Sequence, residues 1–260
     1  MPAGFLVLPC RSPTDDTDAH RRVVAVTTRV AVVGDDTGEA ADAIRDAGGR
    51  VTGASDADVV AAIGEDALLD AADLSAPVLP VGAGREYGGV ARSDLGPALA
   101  ALAAGDYSVA DRPTLAVDTA AGSARALADV TLVTTEPAKI SEFAVDAGDR
   151  RVGSVRADGV VAATPVGSRG YATDAGGPRI EPDVPAVGVV PISPFRIDRT
   201  NWVVAPPLSV TVARDEASVE LHVDGRERGP LGVDEPVELS WGAPLSVAVV
   251  PATRRPPRTD

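Results

Sequence analysis

Short apolar runs alternate with helical patterns through the first hundred residues of the chain. The predicted strands are 30–33, 50–51, 58–63 and 78–81, and the predicted helices are 39–47, 67–72 and 95–104. Strand, helix and strand at this spacing imply βαβ units, in which neighbouring strands run parallel. We therefore expect an N-terminal α/β domain with a parallel sheet.

The pattern changes near residue 108, after which short Val-rich runs are separated by Gly, Pro and Asp turns. These runs predict strands at 130–133, 143–145, 160–163, 187–190, 202–204, 209–212, 219–223 and 245–250. Regularly spaced short strands are typical of a sandwich or a folded-over sheet. We therefore expect a mainly β C-terminal domain, and the last strand could pair with either domain.

These patterns divide the chain into four segments. Residues 29–107 form the α/β nucleotide-binding domain and 108–250 the β-rich dinucleotide-binding domain. Residues 1–28 are predicted to be a loosely ordered extension, or to result from a translation start that is assigned too early. Residues 251–260 are predicted to be a disordered tail.

Composition narrows the choice of partners. Hydrophobic residues make up 45% of the 260-residue chain but aromatic residues only 3%, so the core must consist mainly of small aliphatic side chains. The net charge is −14, and Lys139 is the only lysine. This charge balance argues against nucleic acid as a partner, because phosphate contacts need clustered Arg and Lys.

The acidic surface has two interpretations: a protein from a salt-loving organism, or an ordinary acidic protein from a GC-rich genome. At about 1 M salt the Debye length is only about 3 Å, so distant negative charge would not repel anionic ligands. Acidity is therefore compatible with ATP or NAD as a ligand.

Cysteine and histidine are too scarce for the usual metal sites. Cys10 is the only cysteine, and the histidines are His20 and His222. An intrachain disulfide is impossible, and we predict no metal-ligating residues. The apolar run 5–8 is too short to cross a bilayer and lacks the features of a secretory signal, so no membrane partner and a cytoplasmic location are expected.

The most informative motif is a strand that enters a Gly-rich turn. It begins with Asp158-Gly159 and continues as Thr164-Pro165-Val166-Gly167-Ser168-Arg169-Gly170-Tyr171 and, further on, Ala175-Gly176-Gly177-Pro178. Such turns expose successive backbone N–H groups that can hold an anion, although a hairpin with glycine at positive φ would look similar.

As a whole, this stretch resembles the signature of the NAD kinase family, in which Asp-Gly precedes a strand, a Thr-Pro-Thr-Gly-Ser-Thr-Ala-Tyr loop and Ala-Gly-Gly-Pro. Val166, Arg169 and Gly170 depart from that signature. Pro191-Ile192-Ser193-Pro194-Phe195 resembles the Pro-rich turn of the family, and Asp224-Gly225 resembles its late Asp-Gly. The resemblance covers roughly 29–250 and is strong from about 126 to 206.

The resemblance implies a set of substrate-binding residues. Asp158 would hydrogen-bond the dinucleotide, Tyr171 would pack against a base, and the backbone of Gly167 and Ser168 would approach ribose or phosphate. The whole implied set is Gly64, Asp129, Asp158, Thr164, Gly167, Ser168, Arg169, Tyr171 and Asp174.

Two members of that set have alternative interpretations. The Asn-Glu pair of the family falls on Ala128-Asp129, so one polar contact is lost, while Asp129 is either a ligand contact or a solvated residue before a strand. Arg169 replaces a threonine and either holds phosphate in a bidentate manner or forms a surface salt bridge.

The other family signature, Gly-Gly-Asp-Gly-Thr, falls on Ile63-Gly64-Glu65-Asp66-Ala67 and retains one glycine. The family's Asp is proposed to accept the proton of the ribose 2′-hydroxyl that attacks the γ-phosphate. Glu65 takes this position in an ungapped alignment, and Asp66 takes it when Gly64 matches the first glycine. An acidic helix N-terminus without any catalytic role would also explain the pair.

Two functions of different kinds remain. The first is an NAD kinase-like phosphotransferase that phosphorylates the 2′-hydroxyl of the adenosine ribose of NAD, using ATP or polyphosphate with Mg²⁺, with Glu65 or Asp66 as the base. The second is a catalytically impaired relative that binds NAD(P) or another nucleotide as a sensor. A homo-oligomer is expected by resemblance only.

Overall fold

A computed structural model of the chain describes residues 27–83, 87–136, 139–195 and 200–254. The predicted extension at 1–28 therefore lies outside the described residues up to residue 26, and the predicted tail at 251–260 lies outside them from residue 255. Within the described part, residues 251–254 form a 3₁₀ turn.

The strands and helices that the sequence predicts all occur in the described chain in the same order, together with six strands and one short helix that it does not predict. The strands are β1 Arg29–Gly34, β2 Arg50–Val51, β3 Val59–Ile63, β4 Val78–Val81, β5 Ser108–Arg112, β6 Leu115–Thr119, β7 Gly122–Ala126, β8 Asp129–Thr134, β9 Ser141–Ala147, β10 Arg150–Ala157, β11 Gly159–Ala163, β12 Val187–Ile192, β13 Trp202–Val204, β14 Leu208–Arg214, β15 Val219–Val223, β16 Arg226–Leu231, β17 Pro236–Trp241 and β18 Leu245–Val249. The helices are α1 Thr37–Asp46, α2 Glu65–Ala71, α3 Leu95–Ala103 and α4 Tyr171–Asp174. None of the helices in the described ranges is long and apolar enough to cross a membrane.

The N-terminal sheet has the strand order β2-β1-β3-β4-β18-β5. Its first four strands are parallel, as expected for βαβ connections, and β18 is parallel to β4. The sheet extends beyond the predicted boundary near 108, because β5 pairs antiparallel with β18 over five residue pairs. The last strand thus joins the N-terminal domain.

The rest of the chain forms two six-stranded antiparallel sheets. Their orders are β10-β9-β14-β17-β6-β7 and β13-β12-β11-β8-β15-β16. One buried cluster draws side chains from both sheets, including Phe143, Val145 and Leu239 of the first and Leu132 and Val160 of the second. Alternating burial along β14 and β15 fits strands with one face on this core. The predicted α/β domain and mainly β domain are therefore confirmed.

The two domains share an apolar contact on one face of the parallel sheet. One face packs against α1 and α3 through residues such as Ile44 and Leu102. The other face joins Val60 and Leu68 to Leu127, Ala128 and Val166, which lie at the start of β8 and after β11. This contact fixes the carboxyl ends of β1 and β3 against the β-sandwich.

Candidate active site

The first wall of the site is the turn after β3. Gly64 has φ +103°, a left-handed conformation that favours glycine, and its N–H donates to the carbonyl of Val81 at 2.9 Å. Helix α2 begins at Glu65 directly after it. Gly34 ends the neighbouring strand β1 so closely that a Cβ there would lie 2.1 Å from the carbonyl oxygen of Ile63. The two turns therefore lie side by side at the carboxyl edge of the sheet, where α/β proteins bind ligands.

The second wall is the start of β8, which Asp224 holds in place. The Asp224 carboxylate accepts hydrogen bonds from the backbone N–H groups of Leu127, Ala128 and Asp129, at 2.8, 2.7 and 3.1 Å. Asp224 has φ 51° and is followed by Gly225 with φ 72°, so a tight turn between β15 and β16 aims the carboxylate at these donors. Burial raises the pKa of Asp224, although the three backbone donors and Arg226 oppose the rise.

Asp129 itself is half-buried and accepts a hydrogen bond of 3.1 Å from Thr131 Oγ1. Burial first, and then the charge of Asp224, raise the pKa of Asp129 to about 6, and the charge of Glu65 contributes in the same direction. The hydrogen bond from Thr131 opposes these effects. The Glu65 carboxylate thus acts on Asp129 from the other domain.

The third wall is the loop from Thr164 to Tyr171. Thr164 is buried, donates to the carbonyl of Leu127 at 2.8 Å and accepts from the N–H of Gly167 at 3.1 Å. Gly167 is packed so tightly that a Cβ would lie 2.0 Å from the carbonyl oxygen of Ala128. The loop is therefore fastened to the segment before β8, and its glycine permits that close approach.

These three walls enclose one cleft of about 1100 Å³ between the two domains. Residues of the N-terminal domain in its lining include Gly34, Asp35, Gly64, Glu65, Asp66 and Asp70, and residues of the β-sandwich include Asp129, Thr131, Gly167, Tyr171, His222, Asp224 and Arg226. A cleft at a domain interface with converging polar groups is typical of a ligand site.

Six of the eleven predicted site residues line this cleft: Gly64, Glu65, Asp66, Asp129, Gly167 and Tyr171. The structure brings them together from two domains that are separate in sequence. Tyr171 is 46% exposed, so one side of its ring is open to a ligand. The specific roles predicted for these residues stay predictions.

Five predicted residues lie outside the cleft lining, and two of these stabilise the loop. Besides the contacts of Thr164, Ser168 Oγ donates to the carbonyl of Pro165 at 2.7 Å and accepts from the N–H of Ile180 at 2.9 Å. The backbone N–H of Ser168 donates to the carbonyl of Thr164, so it is not directed at a ligand. An approach of the Ser168 backbone to ribose or phosphate stays a prediction.

The other three lie at more distant points. Arg169 pairs with Glu181 at 3.2 Å, which matches the surface salt bridge that was its alternative interpretation. Asp158 precedes β11, at the end opposite Thr164, and its backbone bonds to Ile192 and Thr134. Asp174 is exposed at the end of α4. The cleft gives no support to a ligand contact by these three side chains.

Glu65 and Asp66 have different surroundings although they are neighbours. Arg226, the first residue of β16, donates to Asp70 Oδ1 at 2.8 Å and to Asp66 Oδ1 at 3.2 Å. The Asp66 side chain is 93% exposed. Glu65 instead acts electrostatically on Asp129. Both candidate bases line the cleft, and Asp66 is the one that pairs with a residue of the β-sandwich.

Several lining residues were absent from the predicted site. Thr131 and His222 are register partners on β8 and β15, so they lie side by side on the cleft floor. Alternation from Asp129 could have identified Thr131, since residues two apart on a strand share a face. No sequence pattern marks Arg226 or Asp35 as a site residue, because their positions at the cleft follow from tertiary contacts.

Several carboxylates line the same cleft, including those of Glu65, Asp66, Asp70 and Asp129. Within the described ranges, no group of three or more His, Cys, Asp or Glu residues could hold a metal ion.

The fold and the cleft together define a two-domain ligand-binding protein, in which an α/β sheet and a β-sandwich contribute opposite walls of one site. The family model for the ATP-NAD kinase C-terminal domain matches residues 127–249. The NAD kinase of Methanopyrus kandleri is 30% identical over 207 residues, which cover 76% of this chain and 71% of that protein. The chain belongs to the NAD kinase family.

Other relatives match shorter segments or the fold alone. The NAD kinase of Methanosarcina barkeri is 39% identical over 113 residues, and that match spans 43% of this chain and 41% of the relative. The NAD kinase of Archaeoglobus fulgidus, solved with ATP, superposes with a TM-score of 0.66 at 21% identity over 85% of this chain and 92% of that one. Yeast NADH kinase, solved with NADH, gives 0.70 at 15% identity, with 87% and 84% covered.

Proposed function

We propose that this protein is an NAD kinase, which transfers a phosphoryl group from ATP or polyphosphate to the 2′-hydroxyl of the adenosine ribose of NAD. The observation that carries the proposal is the cleft whose lining includes the Gly64–Glu65 turn, Asp129 and Tyr171. The family membership and the ligands of the solved relatives, ATP and NADH, support the same assignment.

In the proposed reaction, Glu65 accepts the proton of the 2′-hydroxyl. The oxygen forms a bond to the terminal phosphorus of the donor while the bond from that phosphorus to its bridging oxygen breaks, and ADP or a shortened polyphosphate leaves. Asp129 binds the ribose hydroxyl groups from the opposite wall, and the Tyr171 ring packs against a base. Phosphoryl transfer of this kind depends mainly on positioning and charge stabilisation.

A divalent cation, Mg²⁺ in the simplest case, is assigned to the donor substrate. Because no three-ligand group occurs in the described ranges, we infer that the cation enters already bound to the phosphates. It would neutralise part of the charge that Glu65, Asp129 and Asp224 bring to the cleft.

Kinase activity can be tested with the purified chain in molar KCl, because the acidic composition is typical of salt-adapted proteins. NAD, ATP and Mg²⁺ are added, and the NADP formed is measured with a dehydrogenase that accepts only NADP. Glu65→Gln is expected to lower kcat by about 100-fold or more, as for loss of a general base. Asp66→Asn should change kcat by less than about threefold, because the Asp66 carboxylate is held by Arg226.

The matched control is Asp42→Asn, which removes one charge from an exposed residue of α1 whose partner is Arg45. Its activity should equal that of the unmodified protein. Full activity in Glu65→Gln would assign the proton acceptor to another group.

The sensor function has one specific observation in its favour. Glu65 and Asp66 place two carboxylates where the family has Asp and Gly, and Ala128 has no polar side chain where the family has Asn. Saturable NAD binding by calorimetry, together with no NADP under any donor, would establish the sensor instead of the kinase.

A further inference from the structure

A cationic side chain lies beside the altered turn without being part of any recognised motif. Arg92 follows Ala91 after the parallel bridge between Val81 and Val90, and it begins the 3₁₀ turn that leads into α3. Backbone hydrogen bonds from Gly82 to Val90 and from Val90 to Pro80 hold the segment before it, both at 2.9 Å. The base of the Arg92 side chain is therefore fixed relative to β4.

The guanidinium of Arg92 lies against the Gly64 turn. A Cβ placed on Gly64 would be 3.8 Å from Arg92 Nη2 and 3.6 Å from Asp35 Oδ2. The stem of the side chain passes over Gly82, where a Cβ would be 2.9 Å from Arg92 Cγ. Gly82, directly after β4, therefore leaves room for the stem of this arginine, and the positive-φ turn at Gly64, directly after β3, lies in contact with its guanidinium.

The Arg92 guanidinium forms ion pairs with two carboxylates. Its Nη2 donates to Asp35 Oδ2 at 2.7 Å and its Nη1 to Asp36 Oδ2 at 3.3 Å. The side chains of Arg92, Asp35 and Asp36 are 47%, 69% and 66% exposed. Exposed ion pairs of this kind contribute little to stability and are easily exchanged for another anion. Asp35 also lines the cleft, so the pair is at its margin.

A polyphosphate chain bound at the altered turn would need a nearby cation, because the turn carries added negative charge. The family signature offers three glycines, whereas this chain keeps Gly64 and adds the carboxylates of Glu65 and Asp66. A polyphosphate chain that enters there meets negative side chains at the turn. Arginine binds phosphate oxygens through two parallel N–H donors, which supplies both charge and geometry.

We propose that Arg92 binds the polyphosphate chain of the phosphoryl donor, and that Asp35 and Asp36 occupy its guanidinium until the donor displaces them. The recognised chemistry is a run of linked phosphates, shared by a nucleoside triphosphate and inorganic polyphosphate. This inference rests on the proposed kinase function for the identity of the donor, and it names a donor-binding residue that the Gly-rich signature does not include.

The test measures binding directly, in the presence of Mg²⁺ and molar KCl, by calorimetric titration of the full chain with inorganic tripolyphosphate, with ATP and, separately, with NAD. Arg92→Ala should weaken binding of tripolyphosphate and of ATP by about tenfold or more each, and leave the Kd of NAD within about twofold. Arg92→Lys should fall between Arg92→Ala and the unmodified protein, because it keeps the charge and loses the bidentate geometry.

A variant with the opposite expected effect separates ligand binding from a structural role. Asp35→Asn frees one side of the guanidinium and should tighten tripolyphosphate binding by about two- to fivefold, which a loss of local structure could not do. Arg45→Ala, which removes an exposed arginine paired with Asp42 on α1, is the control for net charge and should bind all three ligands normally.

Unchanged tripolyphosphate binding in Arg92→Ala would overturn the proposal, and so would a loss confined to ATP, because that would assign Arg92 to the nucleoside. Weaker tripolyphosphate binding in Asp35→Asn would also overturn it. Failure of the unmodified protein to bind NAD would instead reject the proposed function, while the tripolyphosphate titrations would still decide the role of Arg92.

Discussion

The Asp224 carboxylate accepts a hydrogen bond of 2.7 Å from the backbone N–H of Ala128, although 96 residues separate the two in sequence. This contact and its two neighbours join the turn between β15 and β16 to the start of β8, which is the segment that carries Asp129 into the cleft. Asp224, the first residue of the late Asp-Gly pair, thus holds the start of β8, which is the second wall of the site, in position. Its own charge remains close enough to raise the pKa of Asp129.

Replacing Asp224 with Asn should destabilise the protein, because the amide group offers one oxygen acceptor where the carboxylate serves three N–H donors with two. Because buried hydrogen bonds to a charged acceptor are strong, the free energy of unfolding should fall by about 2 to 3 kcal/mol. The measurement is denaturant unfolding at fixed KCl concentration. The control is Asp234→Asn, an exposed position with a similar φ of 61°, where a change below about 0.5 kcal/mol is expected. Equal effects at both positions would contradict the role given to Asp224.

Asp129 makes stability depend on pH. Its folded pKa of about 6 lies above the ordinary value of 3.8, so the folded state binds the proton more tightly than the unfolded state. Stability contributed by Asp129 is therefore greatest below pH 3.8 and falls as the pH rises toward 6, above which the full cost of ionisation is present. Asp129→Asn should remove that cost and raise the free energy of unfolding at pH 8 by on the order of 2 kcal/mol.

The expected gain from Asp129→Asn becomes smaller as the pH falls from 7 toward 5, and this trend is the signature to measure. Chemical unfolding of both proteins at each pH and constant salt supplies it. The control is Asp149→Asn in the exposed turn between β9 and β10, for which a change below about 0.5 kcal/mol is expected throughout. A gain independent of pH would show that the substitution acts through packing and not through the charge.

Gly167 and Gly170 provide a matched pair in the loop of the third wall. A Cβ on Gly167 would lie 2.0 Å from the carbonyl oxygen of Ala128, while a Cβ on Gly170 would lie 3.6 Å from its nearest neighbour, the carbonyl oxygen of Gly167. Gly167→Ala must therefore displace backbone and should cost about 2 to 3 kcal/mol of stability and weaken NAD binding. Gly170→Ala meets no such clash, but its ψ of −131° lies outside the regions that alanine prefers, so it should cost less than Gly167→Ala, at about 1 kcal/mol. Thermal unfolding and NAD titration of both variants check this, and similar losses in the two would contradict it.

Sequence patterns predicted β1 to β4 and α1 to α3 of the α/β domain well, because these elements are set by local periodicity. Strands β5, β6, β7, β10, β16 and β17 were missed. Several of these are rich in polar residues, such as Ser108–Arg112 and Arg226–Leu231, and are stabilised by pairing with a distant partner. The position of β18 beside β4 could not be predicted for the same reason, since only tertiary contacts distinguish the two sheets it might join.

In the candidate site, too, local sequence motifs identify some residues, whereas others are placed by contacts between distant parts of the chain. Gly64, Glu65 and Tyr171 could be selected from motif resemblance, and they do line one cleft. Thr164 and Ser168 belong to the same motif but direct their hydroxyl groups into the loop. A motif identifies the loop as a unit, and it does not separate residues that hold the loop from residues that face the ligand. Arg92 and Arg226 reach the site from other elements, so no local pattern marks them.

Arg226 provides a test of how firmly the two domains are joined at the cleft. It extends from the β-sandwich to Asp66 and Asp70 of α2, yet its side chain is 39% exposed and the two carboxylates are 93% and 69% exposed. Arg226→Ala should therefore lower the free energy of unfolding by less than about 1 kcal/mol, and less still in molar KCl, because exposed ion pairs are weak and screened.

A larger effect of Arg226→Ala is expected on the binding of the phosphoryl donor. The freed Asp66 carboxylate adds uncompensated negative charge beside Glu65, so the KM for the donor should rise while the Kd of NAD stays the same. Steady-state kinetics with varied ATP and NAD titration separate these effects, with Arg29→Ala as the control for an exposed arginine paired with Asp58. A loss of several kcal/mol of stability, or a donor KM unchanged from that of Arg29→Ala, would show that Arg226 has a different role from the one inferred here.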